Sequence, residues 1–434
     1  MKKQVLSAML VLINFLFIIN SVFSGELLFE KPEYRMRREK LMDAIPDGFA
    51  IIPGSRHVTG YDIYFQNNDF FYFTGVEIPN SILIIDGVRR ESILFFTIAE
   101  RSAASEGISL DLVRDPTEYT GIERYMSYEQ FSNTLSGLAD RYKVIYTSIY
   151  PEELIRECSS EKFNVLRRDV MLNEWDGRLT RELQFVKILK ERFPQAVIHD
   201  CSKMIWDLRI IKSKAEIEHL RKVGKIGVRA HTEMIRATRP GMYEYEVAAL
   251  FEYYCKKEGA RDLAYNVIIS SAENHPYLHY YKHDRYLVEN DFLVVDAGPD
   301  LGYYDIDITV SYPANGEFTP RQEEIYTACN EIEKACFKFY APGLTRQDVG
   351  KKAKEYLVSK GFDLSTDVYQ KMMRYLENGG VSHYVGMAVH DVGGSPRDTL
   401  KTGMVFALDI LAVFPDEDMG VRVEDTVVIT ENGC

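Results

Sequence analysis

The residues best equipped for chemistry are acidic and imidazole side chains in the last third of the chain, several of them set where a lone charge would be unstable. Asp296 closes the apolar run Phe292-Leu-Val-Val295, and Asp409 sits in the stretch Met404 to Phe414, which carries no other charge. An ionised carboxylate in such a strand is costly unless it is paired or coordinated. Something positive must therefore stand beside these acids. Carboxylates gathered at one place either hold protons at raised pKa or bind cations. One imidazole among oxygen ligands suits manganese, cobalt, zinc or iron. Five protein ligands can hold two ions only if carboxylates bridge them; two-metal hydrolases do this with ions about 3.5–4 Å apart, activating a shared water as hydroxide.

The elements that would gather these acids repeat. Ser213-Lys-Ala-Glu216 is a capping box before a long amphipathic helix that stops at Arg239-Pro240-Gly241; a second helix follows from about Tyr243 to Lys257 and ends at Gly259. Thr319-Pro320-Arg-Gln322 opens another helix, expected to run to Ala341 and stop at Pro342-Gly343, and a further one ends near Gly361. The two Pro-Gly stops are separated by the same distance as the two terminal glycines. A strand-rich stretch follows each helix pair, Phe292 to Tyr312 and then Val405 to Thr430, with Asp307-Ile-Thr-Val310 in register with Glu424-Asp-Thr-Val427. One α-α-β-β unit used twice predicts a sheet about a pseudo-twofold axis with helices over one face. Each half brings an acidic pair, Asp296 with Asp307 and Asp409 with Glu424, so a site where the halves meet would gather four carboxylates.

Ahead of this region, from about Glu30 to His199, short β-rich runs such as Phe49-Ala-Ile-Ile-Pro53 and Ser81-Ile-Leu-Ile-Ile85 alternate with helical spacing at Pro32 to Ile45 and Tyr128 to Tyr142, indicating an α/β domain. Ser202 to Ile211 reads as the link between the two. The 434 residues, 46% hydrophobic and 27% charged, suit a globular enzyme with a large core. A formal net charge of −13 argues against sequence-independent nucleic-acid binding, which rests on phosphate neutralisation. Lys2 and Lys3 before the apolar run Val5 to Phe23 read as a secretory signal peptide with a mature start at Gly25; an uncleaved membrane anchor is the alternative. The six cysteines lack metal-site spacing, and no specific disulfide is expected.

The motifs resemble the pita-bread metallopeptidases, especially aminopeptidase P and prolidase, over nearly the whole mature chain. Asn67 to Gly75 followed by Val76-Glu-Ile-Pro79 resembles the N-terminal domain signature of that family. Pro240-Gly-Met-Tyr-Glu-Tyr245, Tyr265-Asn266, Leu278-His-Tyr280, Asp296-Ala-Gly298, Asp307-Ile-Thr309, Ser382-His383, Val389-His-Asp-Val-Gly393 and Val421-Arg-Val-Glu-Asp425 follow the family pattern in order and spacing. After the signal segment read at 1–24, the resemblance implies an aminopeptidase P-like (creatinase-like) α/β domain at 25–205 and a pita-bread domain at 206–434. It places Asp296, Asp307, His383, Asp409 and Glu424 at metal-ligand positions, with Asp307 and Glu424 bridging. His279 and His390 match catalytic histidines that stabilise the tetrahedral intermediate, and Arg422 matches an arginine that braces the ligands. The implied cofactors are two divalent ions, manganese before cobalt or zinc. The implied substrate is a peptide with proline at its second position, and the implied assembly is a homodimer or homotetramer.

One departure stands out: where the family has Glu-Pro-Gly, this chain has Asp409-Ile410-Leu411, and the shorter carboxylate retreats by about 1.5 Å. Prolidase-type dipeptide cleavage, a weakened or metal-free peptide-binding role, and creatinase-like hydrolysis of a non-peptide C–N bond are the alternatives. Of the other histidines, His275 and His283 are expected at the pocket rim or surface. Asp305 shares a strand face with Asp307 by period two; the family motif selects Asp307 and leaves Asp305 as a solvated or supporting acid. The Tyr-rich stretch Tyr243 to Tyr254 reads as a core face.

Overall fold

The computed structural model describes residues 26–59, 62–154, 156–377, 382–393 and 398–434. The apolar N-terminal run, and with it the signal-peptide or anchor expectation, lies outside them. No helix among the described residues is long and apolar enough to cross a membrane. The chain divides into two compact units, Met1–Tyr146 with Phe193–Val197, and Thr147–Arg192 with Ile198–Cys434.

The β-rich runs form strands β1 (Phe49–Pro53), β2 (Ile82–Asp86), β3 (Glu91–Phe95) and β5 (Val144–Thr147), which β4 (Arg124–Met126) and β6 (Val197–Asp200), not read from the sequence, complete in the sheet order β4-β3-β2-β1-β5-β6. Helix Lys31–Ala44 buries Tyr34, Leu41 and Met42. The aromatic stretch forms a helix, Asn68–Thr74, buried along its whole length, with Asn67 as its N-cap and Gly75 closing it at φ 66°.

The second unit carries helices α1 (Ser159–Leu166), α2 (Lys214–Ala237), α3 (Glu244–Lys257), α4 (Pro320–Phe337), α5 (Arg346–Ser359) and α6 (Asp367–Glu377). Its strands are β7 (Ile268–Ser271), β8 (Phe292–Asp296), β9 (Thr309–Pro313), β10 (Ser382–Tyr384), β11 (Val405–Phe414) and β12 (Met419–Val428), in the order β10-β11-β12-β9-β8-β7. That order is a palindrome of the two sequence repeats, with β12 and β9 meeting at the seam. Each half has its own core: Ile226, Ala230, Val247 and Phe251 against Leu293 and Val295, and Ile325, Ala328 and Ile332 against Phe406, Leu408 and Ile410. The capping box read at Ser213–Glu216 forms, and the cap at Thr319 closes as a second box with Gln322.

Four local readings need correction. Helix α4 ends at Phe337, not Ala341, because Tyr340 turns inward, is buried, and donates its hydroxyl to Ser382 Oγ at 2.8 Å. Ser202–Ile210 is a helix, not a plain link, because Ile205, Arg209 and Ile210 find buried tertiary partners. On α3 the core positions are Val247, Phe251 and Cys255, while Tyr245 and Tyr253 point outward. His275 is buried, not at a rim, and burial lowers its pKa to about 4.

Candidate metal centre

Strand pairing gathers the acids. Period-two alternation turns Leu293 and Val295 toward the helices and leaves Asp296 on the opposite face. Thr309 lies opposite both Asp296 and Glu424, and Glu424 lies opposite Asp409, so Asp296, Thr309, Glu424 and Asp409 make one row across β8, β9, β12 and β11. Asp307 stands two residues before Thr309. His383 pairs with Ala407, two residues from Asp409, and Arg422 precedes Glu424 by two. A residue set scattered over 129 positions of sequence thereby shares one patch of one sheet face.

Two kinds of contact organise the patch. His383 Nε2 lies 3.3 Å from Asp307 Oδ2 and 3.4 Å from Glu424 Oε1. Among the described residues, Asp307, His383 and Glu424 form one group whose ligand atoms all lie within 4.8 Å of one another. The remaining two acids turn to Arg422. Its Nη1 is 2.7 Å from Asp296 Oδ2, while Nε and Nη2 fork onto the two oxygens of Asp409 at 3.1 and 3.0 Å; Nη2 also reaches Glu424 Oε2 at 3.2 Å. Thr309 donates its hydroxyl to Glu424 Oε2 at 2.9 Å.

Residues 218–431 match Metallopeptidase family M24, and residues 34–146 match the aminopeptidase P N-terminal domain. The chain belongs to the M24 metallopeptidases. It is a hydrolase of that family with an N-terminal α/β domain and a C-terminal pita-bread domain. It is 29% identical to the Xaa-Pro aminopeptidase of Escherichia coli, with 93% of each chain covered, and 28% identical to the human Xaa-Pro dipeptidase, covering 92% of this chain and 89% of that one. Among solved structures it resembles E. coli aminopeptidase P with the inhibitor Pro-Leu, with TM-score 0.75, 28% identity, and 93% of this chain and 94% of that one covered.

M24 membership implies divalent metal ions, and the side chains present fit them. The Tyr265 hydroxyl lies 2.5 Å from both Asp296 Oδ1 and Asp307 Oδ1. One phenolic proton cannot serve two ionised carboxylates at once, so the pair needs a further proton or a cation. Among the described residues, His383 Nε2 and Glu424 Oε1 are buried and have no hydrogen-bond partner of good geometry. Burial by itself would lower the His383 pKa, but Asp307 and Glu424 overcome it and hold the imidazole well above its usual range. A divalent ion would take the place of that proton, with three donor atoms already converging on it.

The acids themselves are short of positive charge. Burial raises Asp296, against the pull of Arg422. Burial also pushes Asp409 up to about 8; Arg422 opposes this, while Glu424 and Asp296 add to it. Arg422 is itself buried, which would lower its pKa, yet Asp296, Asp409 and Glu424 hold it well above normal. The departure from the family motif thus has a visible geometry: Asp409 keeps its carboxyl group on the site face, but both of its oxygens engage the guanidinium, and it stands outside the converging group of Asp307, His383 and Glu424.

The histidines line the approach. The His390 ring centroid is 4.2 Å from that of His383. His279 is exposed and stacks at 6.4 Å over Tyr281; desolvation, Arg422 and His390 together lower its pKa. His283, half-buried, instead contacts the Tyr280 carbonyl at 3.0 Å. Asp305 is fully buried, not solvated; desolvation and the neighbouring Asp300 raise its pKa well above the carboxylate range.

Two residues that contact this patch were assigned no role from sequence. Tyr265 carried a signal, since it falls within a family motif. Glu161, which contacts His390, carried none, because it lies 229 residues away in a segment outside both matched domains.

Proposed function

We propose that this chain releases the first residue of peptides whose second residue is proline, as a metal-dependent Xaa-Pro aminopeptidase. The observation that carries the reading is the convergence of Asp307, His383 and Glu424, flanked by Asp296 and Asp409, on one sheet face. The similarity to relatives named Xaa-Pro aminopeptidase supports the substrate class. Asp296, Asp307, His383, Asp409 and Glu424 would hold two divalent ions; the oxygen-rich set with one imidazole favours manganese, with cobalt or zinc as substitutes. Bound there, the ions supply Lewis acidity and a water activated at neutral pH.

The protein's own groups do the rest. Arg422 fixes the orientation of Asp296, Asp409 and Glu424. His279 and His390 stabilise charge that develops on the scissile carbonyl oxygen. Asp409 or Glu424 carries a proton toward the leaving proline nitrogen. Export through the N-terminal apolar segment and assembly as a homodimer or homotetramer belong to the same proposal.

A second reading, cleavage of Xaa-Pro dipeptides, is favoured by the comparable identity to the human dipeptidase. The test uses mature protein from Gly25, stripped with chelator and reloaded with manganese, cobalt or zinc. It is offered an Xaa-Pro tripeptide, the matching Xaa-Ala tripeptide and the Xaa-Pro dipeptide. Metal-dependent release of the first residue from the proline tripeptide alone is the expected result. Preference for the dipeptide selects the second reading, and no turnover by folded, metal-loaded protein refutes both.

A further inference from the structure

Glu161 sits in the first turn of α1, and its Oε1 lies 2.9 Å from His390 Nδ1. Both side chains are partly exposed, at 63% and 43%. An isolated surface contact of this kind carries little weight. Its surroundings are different. Two residues before Glu161, the Ser159 backbone N–H donates to Glu153 Oε2 at 3.0 Å, and the Ser159 hydroxyl donates to the Pro151 carbonyl at 2.9 Å. The other oxygen of Glu153 accepts from Arg209 Nη2, and the same nitrogen donates to Asp391 Oδ1 at 2.6 Å. Lys212 Nζ reaches Asp391 Oδ2 at 3.1 Å. The four charged side chains of this network are each at most 2% exposed. One buried frame therefore fixes the start of α1 at one end and the residue following His390 at the other. The carboxylate and the imidazole meet because both are mounted on it.

We infer that Glu161 is a positioning residue for His390: by accepting a hydrogen bond from Nδ1 it fixes the orientation of the imidazole, and so presents Nε2 to the substrate. Among the described residues Nε2 has no protein partner, which leaves it available. The contact to His390 also holds the Glu161 carboxyl below the usual range, despite some opposing desolvation, so it is an ionised acceptor. A hydrogen bond at one ring nitrogen fixes the direction in which the other points. This inference rests on the aminopeptidase reading for its catalytic consequence, but not for its geometry.

The test is a double-mutant cycle on the metal-loaded full-length mature protein, comparing wild type, Glu161→Ala, Glu161→Gln, His390→Ala and the Glu161→Ala/His390→Ala double variant. Metal content and melting temperature are measured alongside kcat and KM for an Xaa-Pro tripeptide. Glu161→Ala is expected to lower kcat about 10-fold with KM little changed, since loss of an oriented acid–base group typically costs about 10- to 100-fold or more. Glu161→Gln, whose amide oxygen still accepts from Nδ1, is expected to recover most of that loss. In the His390→Ala background Glu161→Ala should cost nothing further. An unchanged Glu161→Ala enzyme, equal losses in the Ala and Gln variants, or the same loss without His390 would each overturn the assignment. If wild type turns over no peptide, the functional reading fails separately, and histidine ¹⁵N shifts decide. Loss of the hydrogen-bonded Nδ1–H resonance of His390 in Glu161→Ala upholds the positioning role, and an unchanged resonance refutes it.

Discussion

Replacing Arg422 by Met tests whether the guanidinium holds the site together in the absence of metal. Arg422 is 13% exposed and makes ion pairs with Asp296 at 2.7 Å, Asp409 at 3.0 Å and Glu424 at 3.2 Å. Removing one partner of a buried pair typically costs about 3–5 kcal/mol, because the charge left behind is uncompensated. Here three carboxylates lose the same cation, but Asp296 and Asp409 already hold raised pKa values and can relax by protonation. The lower part of that range, about 3 kcal/mol, is therefore expected. For a unit of this size about 2–4 °C is lost per kcal/mol, so the melting temperature in chelator should fall by about 6–12 °C. Adding manganese to about 100 times its dissociation constant contributes about 2.7 kcal/mol to any protein that binds it only when folded. If the guanidinium and the metal compete for the same oxygens, the variant should gain more from metal than wild type does. Calorimetry of both proteins, stripped and loaded, measures all four values. A stripped variant within about 1 kcal/mol of wild type, or equal gains on loading, would refute the view that Arg422 stands in for a cation.

Three other outcomes follow from the same contacts. Lengthening Asp409 to Glu should let one carboxylate oxygen leave the fork on Arg422, raising affinity for a second manganese ion by about tenfold or more; titration followed by electron paramagnetic resonance reads this without reference to turnover. The stability of the stripped enzyme should depend on pH with a definite sign. The folded pKa of Asp409 is raised from 3.8 to about 8, so its contribution is fully present below about 4 and is lost as pH rises through 8, whereas the loaded enzyme should hold up across that window. Urea unfolding at pH 5, 7 and 9, with and without chelator, checks it. Gly298→Ala should prevent stable folding of the second unit, since a Cβ there would meet the Ile306 carbonyl oxygen at 1.6 Å; soluble yield and circular dichroism decide.

Much of the site could be read in the chain because its constraints are local in register. A carboxylate at the end of an apolar strand must face away from the core, so Asp296 and Asp409 announced themselves, and the repeat paired Asp307 with Glu424. What remained hidden depends on distances that period-two patterning does not encode. Asp305 and Asp307 obey the same alternation, yet one is buried against Asp300 and the other faces His383. The fork of Arg422 onto Asp409 needs the rotamers of both side chains. Glu161 touches His390 only because a network of buried charges holds both in place, and nothing in its own neighbourhood marks it. The end of α4 was misread for a similar reason: propensity continues past Phe337, but the burial of Tyr340 wins.

The seam between β9 and β12 has a further consequence. Within the ladder it is joined at Thr309 and Glu424, and side-chain hydroxyls carry much of the rest: Ser311 Oγ donates to the Arg422 carbonyl and accepts its N–H, and Thr426 Oγ1 does the same for Asp307. These contacts link residues 111 to 119 positions apart, so their loop-closure entropy must be met before they form. Each half can assemble its own helices and core first, leaving the zipper between them for last. Asp307 and Glu424 lie on opposite lips of that zipper, and an ion held by both would act as a rivet across the joint. The cell's metal supply would then govern chain maturation as well as turnover, with slow amide exchange along Thr309–Pro313 and Met419–Val428 reporting when the joint has closed.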